Sequence, residues 1–247
     1  QWSTRFPLDH SMLEQGLSDS VAYKNDAKTV GVGSSGEQKG VLSLAVNSLV
    51  EYGPRAKGAG APWVHLLVQQ DFDPPAALER LGAVTLHIDA RLLRSRSLHA
   101  NDYSPDIHSA QFTIFFTIEN RNRQSAGHGD YLWFGIPIYD NRSRFPKAFK
   151  EQDFGGTAKY IFMPDGKTYT ESSAHDGEWM VIEKDLLPLM REALEAAWAR
   201  GYLKDSKNLS DYAIGGMNMG WELPGTFDVE MRIRNFSVKA VSGQRNP

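Results

Sequence analysis

The chain has no cysteine in 247 residues. That excludes disulfides, thiolate metal sites, iron–sulfur clusters and a cysteine nucleophile. No apolar run approaches the roughly 20 residues a membrane-spanning helix needs. Neither sign of charge dominates: 27 Lys and Arg against 30 Asp and Glu give a formal net charge of −3. No basic stripe interleaves with aromatic residues, so neither a nucleic acid nor a membrane surface is an expected partner. The motifs of several enzyme classes are also missing. There is no G-x-S-x-G elbow for a serine nucleophile. Gly31, Gly33 and Gly36 in VGVGSSGEQKG lack the Gly-Lys-Ser/Thr ending of a phosphate loop, and no helical pattern follows them, so a turn between strands is expected. Without βαβ rhythm a nicotinamide or flavin fold is disfavoured.

What is present is strand signal, repeated. Alternating apolar runs cover residues 41–50, 62–72, 83–93, 110–120, 131–139, 159–163, 177–183, 211–223 and 226–241, and turn formers such as Gly53-Pro54, Pro164-Asp165-Gly166 and Pro224-Gly225 separate them. Many strands with little helix predict an all-β, antiparallel two-sheet β-sandwich or barrel. One helix is inserted near residues 186–200: Asp185 can cap it, Pro188 suits its first turn, Leu187, Met190, Leu194, Ala197 and Trp198 form its apolar stripe, and Gly201 can close it. A shorter helical pattern falls on 75–81. The chain reads as a single domain over 1–247, with residues 1–27 an irregular N-terminal arm. Three N-x-S/T sequons, at Asn141, Asn208 and Asn235, matter only if the source glycosylates secreted proteins. A start at Gln1 rather than Met suits a mature secreted or periplasmic protein whose signal peptide has been removed.

The stretch DYLWFGIPIYDNR organises the functional reading. Leu132, Phe134, Ile136 and Ile138 share one phase and are expected to face the core. Tyr131, Trp133, Gly135, Pro137 and Tyr139 share the other, an aromatic surface with a gap at Gly135 suited to a flat sugar ring. In QFTIFFTIEN, Gln111 and Glu119 lie on the polar phase. In YAIGGMNMGWEL, Gly216, Asn218, Gly220 and Glu222 line what reads as a shallow trough, where glycine either admits a ligand or relieves crowding in a curved sheet.

Two carboxyl groups in an aromatic cleft are the minimal equipment for glycosidic hydrolysis, one protonated to donate to the leaving oxygen and one ionised. Glu119 and Glu222 are the expected catalytic pair, with Asp130 and Asp140 in reserve. Their alternative role is ion pairing, Glu119 with Arg121 or Arg123 for instance. Tyr131, Trp133 and Tyr139 would stack on sugars, and Asn218 and Gln111 would bond hydroxyls. Metal chemistry has less support: His65 and His87 could meet on adjacent strands with Asp89, but no tight ligand spacing exists. Asp71 and Asp73 could hold a structural calcium ion or simply form a turn. No cofactor is otherwise expected.

The strand order, the aromatic phase of YLWFGIPIY and the closing GGMNMGWELPGTFDVEMRIRNFSV resemble the jelly-roll β-sandwiches of carbohydrate-active proteins, both glycoside hydrolases and carbohydrate-binding modules. The resemblance spans residues 40–241 and is architectural; no signature such as E-x-D-x-x-E matches, so it carries no catalytic residue across. It implies a glycan partner, with a glycoside hydrolase expected first and a non-catalytic carbohydrate-binding protein as the alternative. The sugar, the linkage and the oligomeric state are not legible.

Overall fold

The computed structural model describes residues 13–14, 20–33, 36–53, 62–154 and 156–243. In chain order these form β1 (Leu13–Glu14), β2 (Ser20–Lys24), β3 (Lys28–Gly33), β4 (Leu42–Asn47), the short helix α1 (Ser48–Tyr52), β5 (Val64–Ala77) and β6 (Leu81–Ser97). There follow β7 (Gln111–Asn120), β8 (Tyr131–Asp140), β9 (Phe149–Gln152), β10 (Tyr160–Met163), β11 (Met180–Asp185), the helix α2 (Leu187–Ala199), β12 (Tyr212–Leu223) and β13 (Phe227–Ser242). They pair into a seven-stranded sheet, β1-β2-β3-β4-β13-β6-β11, and a six-stranded sheet, β5-β12-β7-β8-β10-β9. Pairing is antiparallel except between β8 and β10. The chain is a jelly-roll-like β-sandwich of two sheets.

The alternation read from sequence sets the core. Phe112, Ile114, Phe116 and Ile118 of β7 meet Leu132, Phe134 and Ile136 of β8 and Met217, Met219 and Trp221 of β12 on the inner face of the six-stranded sheet. Leu86, Ile88, Ala90, Val229, Met231 and Ile233 oppose them from the other sheet. Each such aromatic or aliphatic side chain contributes roughly 1.5–3 kcal/mol by leaving water. Trp221 is fully buried, and its indole N–H donates to the Leu44 carbonyl at 2.9 Å, which ties the two sheets together. The inserted helix forms as its pattern predicts. Asp185 accepts from the Leu187 N–H at 3.0 Å, and Gly201 ends the helix at φ +82°.

Three local expectations are corrected. The segment 75–81 continues β5 to Ala77 and makes only a single 3-10 turn, Leu78–Arg80, because β5 is held to Ala77 by its ladder with β12. Residues 20–24, assigned to an irregular arm, pair with β3 instead; residues 1–12 and 15–19 lie outside the described residues. His65 and His87 sit in different sheets, so they do not meet.

Candidate functional site

The outer face of the six-stranded sheet carries every residue of the site, and the ladder places them in rows. Gln111 of β7 pairs with Glu222 of β12, which pairs with His65 of β5; on the other side Gln111 pairs with Asp140 of β8. The next rows hold Leu67, Gly220, Thr113 and Pro137, then Gln69, Asn218, Phe115 and Gly135, then Asp71, Gly216, Thr117 and Trp133. Glu119 and Tyr131 form the far end.

Glu222 stands at the first of these rows with its side chain about 20% exposed, its Oε1 3.6 Å from His65 Nε2. Burial, with a smaller contribution from the Asp153 carboxylate, pushes its carboxyl up to about 7. His65 shifts the opposite way: burial, then the Lys28 ammonium, lowers it to about 4. Near neutral pH the pair is therefore a carboxyl about half protonated, and largely so below about pH 6, against a neutral imidazole. Asp140 is the ionised member of the row. Burial alone would raise it, but hydrogen bonds from Arg142 and Gln111 outweigh burial and hold its pKa below the usual value. Its Oδ1 accepts from Arg142 N and Nε, both at 2.9 Å, and its Oδ2 from Arg142 Nη2 at 2.6 Å and Gln111 Nε2 at 3.0 Å. Glu222 and Asp140 are separated by two strand spacings, or about 9.6 Å between backbones.

The expected pairing of Glu119 with Glu222 is not what the ladder shows. Glu222 lies opposite Gln111, and Glu119 is eight positions further along β7, about 27 Å away at the rise of a strand. Neither a retaining nor an inverting mechanism spans that gap. Glu119 is instead held by Arg121 Nη1, at 3.1 and 3.0 Å to its two oxygens. Asp130 is likewise taken, by Lys159 at 2.6 Å.

Tyr139 is corrected as well. The ladder runs Phe112 to Tyr139 and then Thr113 to Pro137, so Ile138 is an extra residue in a bulge. A bulge reverses the alternation beyond it. Tyr139 therefore turns inward, 4% exposed, with its ring 5.9 Å from Trp221 and 4.7 Å from His175. The same reversal brings Asp140 out to the face. Gly135 offers no gap, since a Cβ there would meet the Phe115 ring and Met163 at 2.7 Å. A Cβ at Gly220 would fall 1.9 Å from the Leu66 carbonyl oxygen, and one at Gly216 3.0 Å from that of Gln70. These glycines admit neighbouring protein atoms.

Trp133 and Tyr131 do form an aromatic cluster on the outer face. Their rings meet edge to face at 5.3 Å, Phe115 joins Trp133 at 5.9 Å, and the Trp133 indole N–H donates to Thr157 Oγ1 at 3.0 Å. Phe154, 85% exposed, follows the Asp153 that binds Thr157 and was not singled out from sequence. Between the two ends Asn218 carries a buried Oδ1 with no hydrogen-bond partner among the described residues, an acceptor suited to a hydroxyl donor. His65 also went unrecognised as Glu222's neighbour, because strand register cannot be read from one strand. Among the described residues no cluster of three or more His, Asp or Glu side chains could hold a metal ion.

No family model and no curated protein sequence matches the chain. Solved structures do. The native family 12 xyloglucanase from Bacillus licheniformis superposes with a TM-score of 0.51 over 90% of this chain and 94% of that one, at 8% identity. The endoglucanase cel12A from Rhodothermus marinus gives 0.48, covering 91% and 93% at 11% identity. The family 11 xylanase from Neocallimastix patriciarum gives 0.45, covering 93% and 98% at 9% identity. The first of these likenesses defines the class of fold, the jelly-roll β-sandwich of glycoside hydrolases. At such identity it is the fold that is shared.

Proposed function

We propose that the chain is an extracytoplasmic carbohydrate-active protein that lays a poly- or oligosaccharide along the outer face of the six-stranded sheet and cleaves it by carboxyl acid–base chemistry. One observation carries the reading: Glu222, with a carboxyl raised to about 7, shares a row with an Asp140 held ionised. Environments that push two carboxyl groups apart in this way assign an acid and a base. Glu222 donates a proton to the leaving glycosidic oxygen. Asp140, two strands away on the same row, takes a proton from a water that attacks the anomeric carbon as the bond to the leaving oxygen breaks, the division of labour of an inverting pair. Tyr131 and Trp133 supply stacking surface, and Asn218 accepts from a hydroxyl. The fold shared with a xyloglucanase supports a polysaccharide ligand.

A second reading, a carbohydrate-binding protein without turnover, is favoured by Asp140 itself, whose oxygens already accept four hydrogen bonds from Arg142 and Gln111. A glycan screen with product analysis separates the two. On the hydrolase reading, Glu222→Gln abolishes product formation while the glycan still binds, and Trp133→Ala weakens binding about tenfold. Unchanged turnover in Glu222→Gln removes the acid assignment. A glycan that binds tightly and yields no product under any condition leaves the binding reading.

A further inference from the structure

The other sheet has a recess of its own. On the outer face of the seven-stranded sheet Gln38, Val41, Arg91, Leu93, Trp179, Arg232 and Arg234 enclose about 400 Å³. Three of these seven side chains are guanidinium groups, in a chain whose net charge is −3, so the positive lining is a local arrangement.

Arg232 of β13 stands directly opposite Arg91 of β6. Like charges in that relation destabilise a sheet unless something neutralises them. The carboxylates of β6 and β13 are shared among several arginines, and none reaches Arg91. Asp89 accepts from Arg234 Nε at 3.0 Å and Asn235 Nδ2 at 2.9 Å. Glu230 accepts from Arg94 and Ser43, both at 3.1 Å, and reaches Arg232 Nε only at 3.9 Å. Asp228 is taken by Arg94 at 2.8 Å. Arg91 donates its Nε to the Gly177 carbonyl at 2.7 Å, which fixes the side chain and leaves its terminal nitrogens for another acceptor. Among the described residues no carboxylate forms an ion pair with Arg91. Trp179 makes a wall whose position is set by the Arg234 guanidinium 4.1 Å over its ring, and Leu93 and Val41 are apolar lining.

The Arg91 and Arg232 side chains both line a recess with aromatic and aliphatic walls, and an anion bound there would offset the like charges of this facing pair. We propose that the recess binds an oxyanion, a carboxylate, sulfate or phosphate bridging Arg91 and Arg232. The oxyanion belongs either to a sugar acid, whose ring would lie against the apolar wall, or to a free inorganic ion. Planar guanidinium groups match such anions in a bidentate fashion. This site is on the sheet opposite Glu222 and does not depend on the reading of that residue.

The test is a titration of the full chain with sodium sulfate, sodium phosphate, sodium glucuronate and glucose at constant ionic strength, followed by the Trp179 indole N–H resonance, which is assigned with Trp179→Phe. The three anions shift the resonance saturably and glucose does not. Arg91→Gln and Arg232→Gln each weaken binding about ten- to hundredfold, whereas Arg96→Gln, an exposed arginine outside the recess, leaves it unchanged. Arg232→Gln removes a like-charge contact and keeps its unliganded thermal midpoint level or raised, which distinguishes lost binding from lost folding; Arg91→Gln also gives up the bond to the Gly177 carbonyl and is read beside it. Glucuronate binding more tightly than sulfate assigns the sugar acid; equal affinities assign the free oxyanion. No saturable shift with any anion, or shifts that persist in both recess variants, overturns the proposal.

Discussion

Replacing Glu222 by Gln removes one titrating group and nothing else of similar size. Its effect on stability should therefore depend on pH in a way fixed by the site. In the unfolded chain the carboxyl titrates near 4.5; in the folded protein burial raises it to about 7. Between those two values the folded state holds a proton that the unfolded state has released, so stability falls as pH rises through the window. A shift of this size corresponds to about 3 kcal/mol, fully expressed above the folded pKa and absent below pH 4.5. His65, 3.6 Å away, has the opposite linkage: lowered to about 4, it favours the folded state as pH rises toward its unfolded value of 6.5, by an amount reduced by its partial exposure. In the wild type the two slopes oppose each other between about pH 4.5 and 6.5. In Glu222→Gln only the histidine slope remains. Urea unfolding of both proteins at pH 4, 6 and 8 measures this. Relative to its effect at pH 4, the substitution should gain about 3 kcal/mol at pH 8, or about 6–12 °C in thermal midpoint for a chain of this length. Parallel pH–stability curves would show that Glu222 is not held protonated, and the acid assignment would fall with it.

Tyr139→Ala should lower stability by about 3–5 kcal/mol and Tyr139→Phe should leave glycan affinity intact, since the ring packs against Trp221 rather than facing a ligand; affinity measured by calorimetry and unfolding by denaturant check the pair. Gly220→Ala should be destabilising because its Cβ would meet the Leu66 carbonyl oxygen at 1.9 Å on a residue at φ +153°, and a lowered urea midpoint is the readout. Glu119→Gln should leave turnover of any substrate unchanged, as its carboxylate is bound to Arg121 far from Glu222; a large loss of rate would return Glu119 to the site.

Local periodicity was enough to read the core. Phe112 through Ile118 and Met217 through Trp221 face inward as their alternation requires, and the Leu187–Ala199 helix follows from its stripe, its capping aspartate and Gly201. What could not be read was register. A strand's own residues say which side chains share a face, but only its partner says which residues share a row. The separation of Glu119 from Glu222 and the nearness of Glu222 to His65 are both facts about rows. Bulges defeat the reading in a second way. One extra residue at Ile138 exchanges Tyr139 for Asp140 on the outer face, and nothing in GIPIYD marks it. The glycines were ambiguous for a similar reason: their role depends on which neighbouring atoms arrive beside them.

The rows also constrain what kind of ligand the outer face can serve. Trp133 is opposite Thr117 and Glu222 opposite Gln111, six positions apart on β7, about 20 Å at the rise of a strand. Both residues look out from the same face, with their backbones further apart than the length of one monosaccharide. Asn218, with its unpartnered oxygen, stands between them. If the proposed function holds, a ligand engaging the aromatic end and the acid together is an extended chain. On the hydrolase reading, Trp133→Ala should lower affinity for long chains and leave turnover of bound substrate, while Glu222→Gln should do the reverse. The two effects should be separable because the sheet places the two residues on different rows.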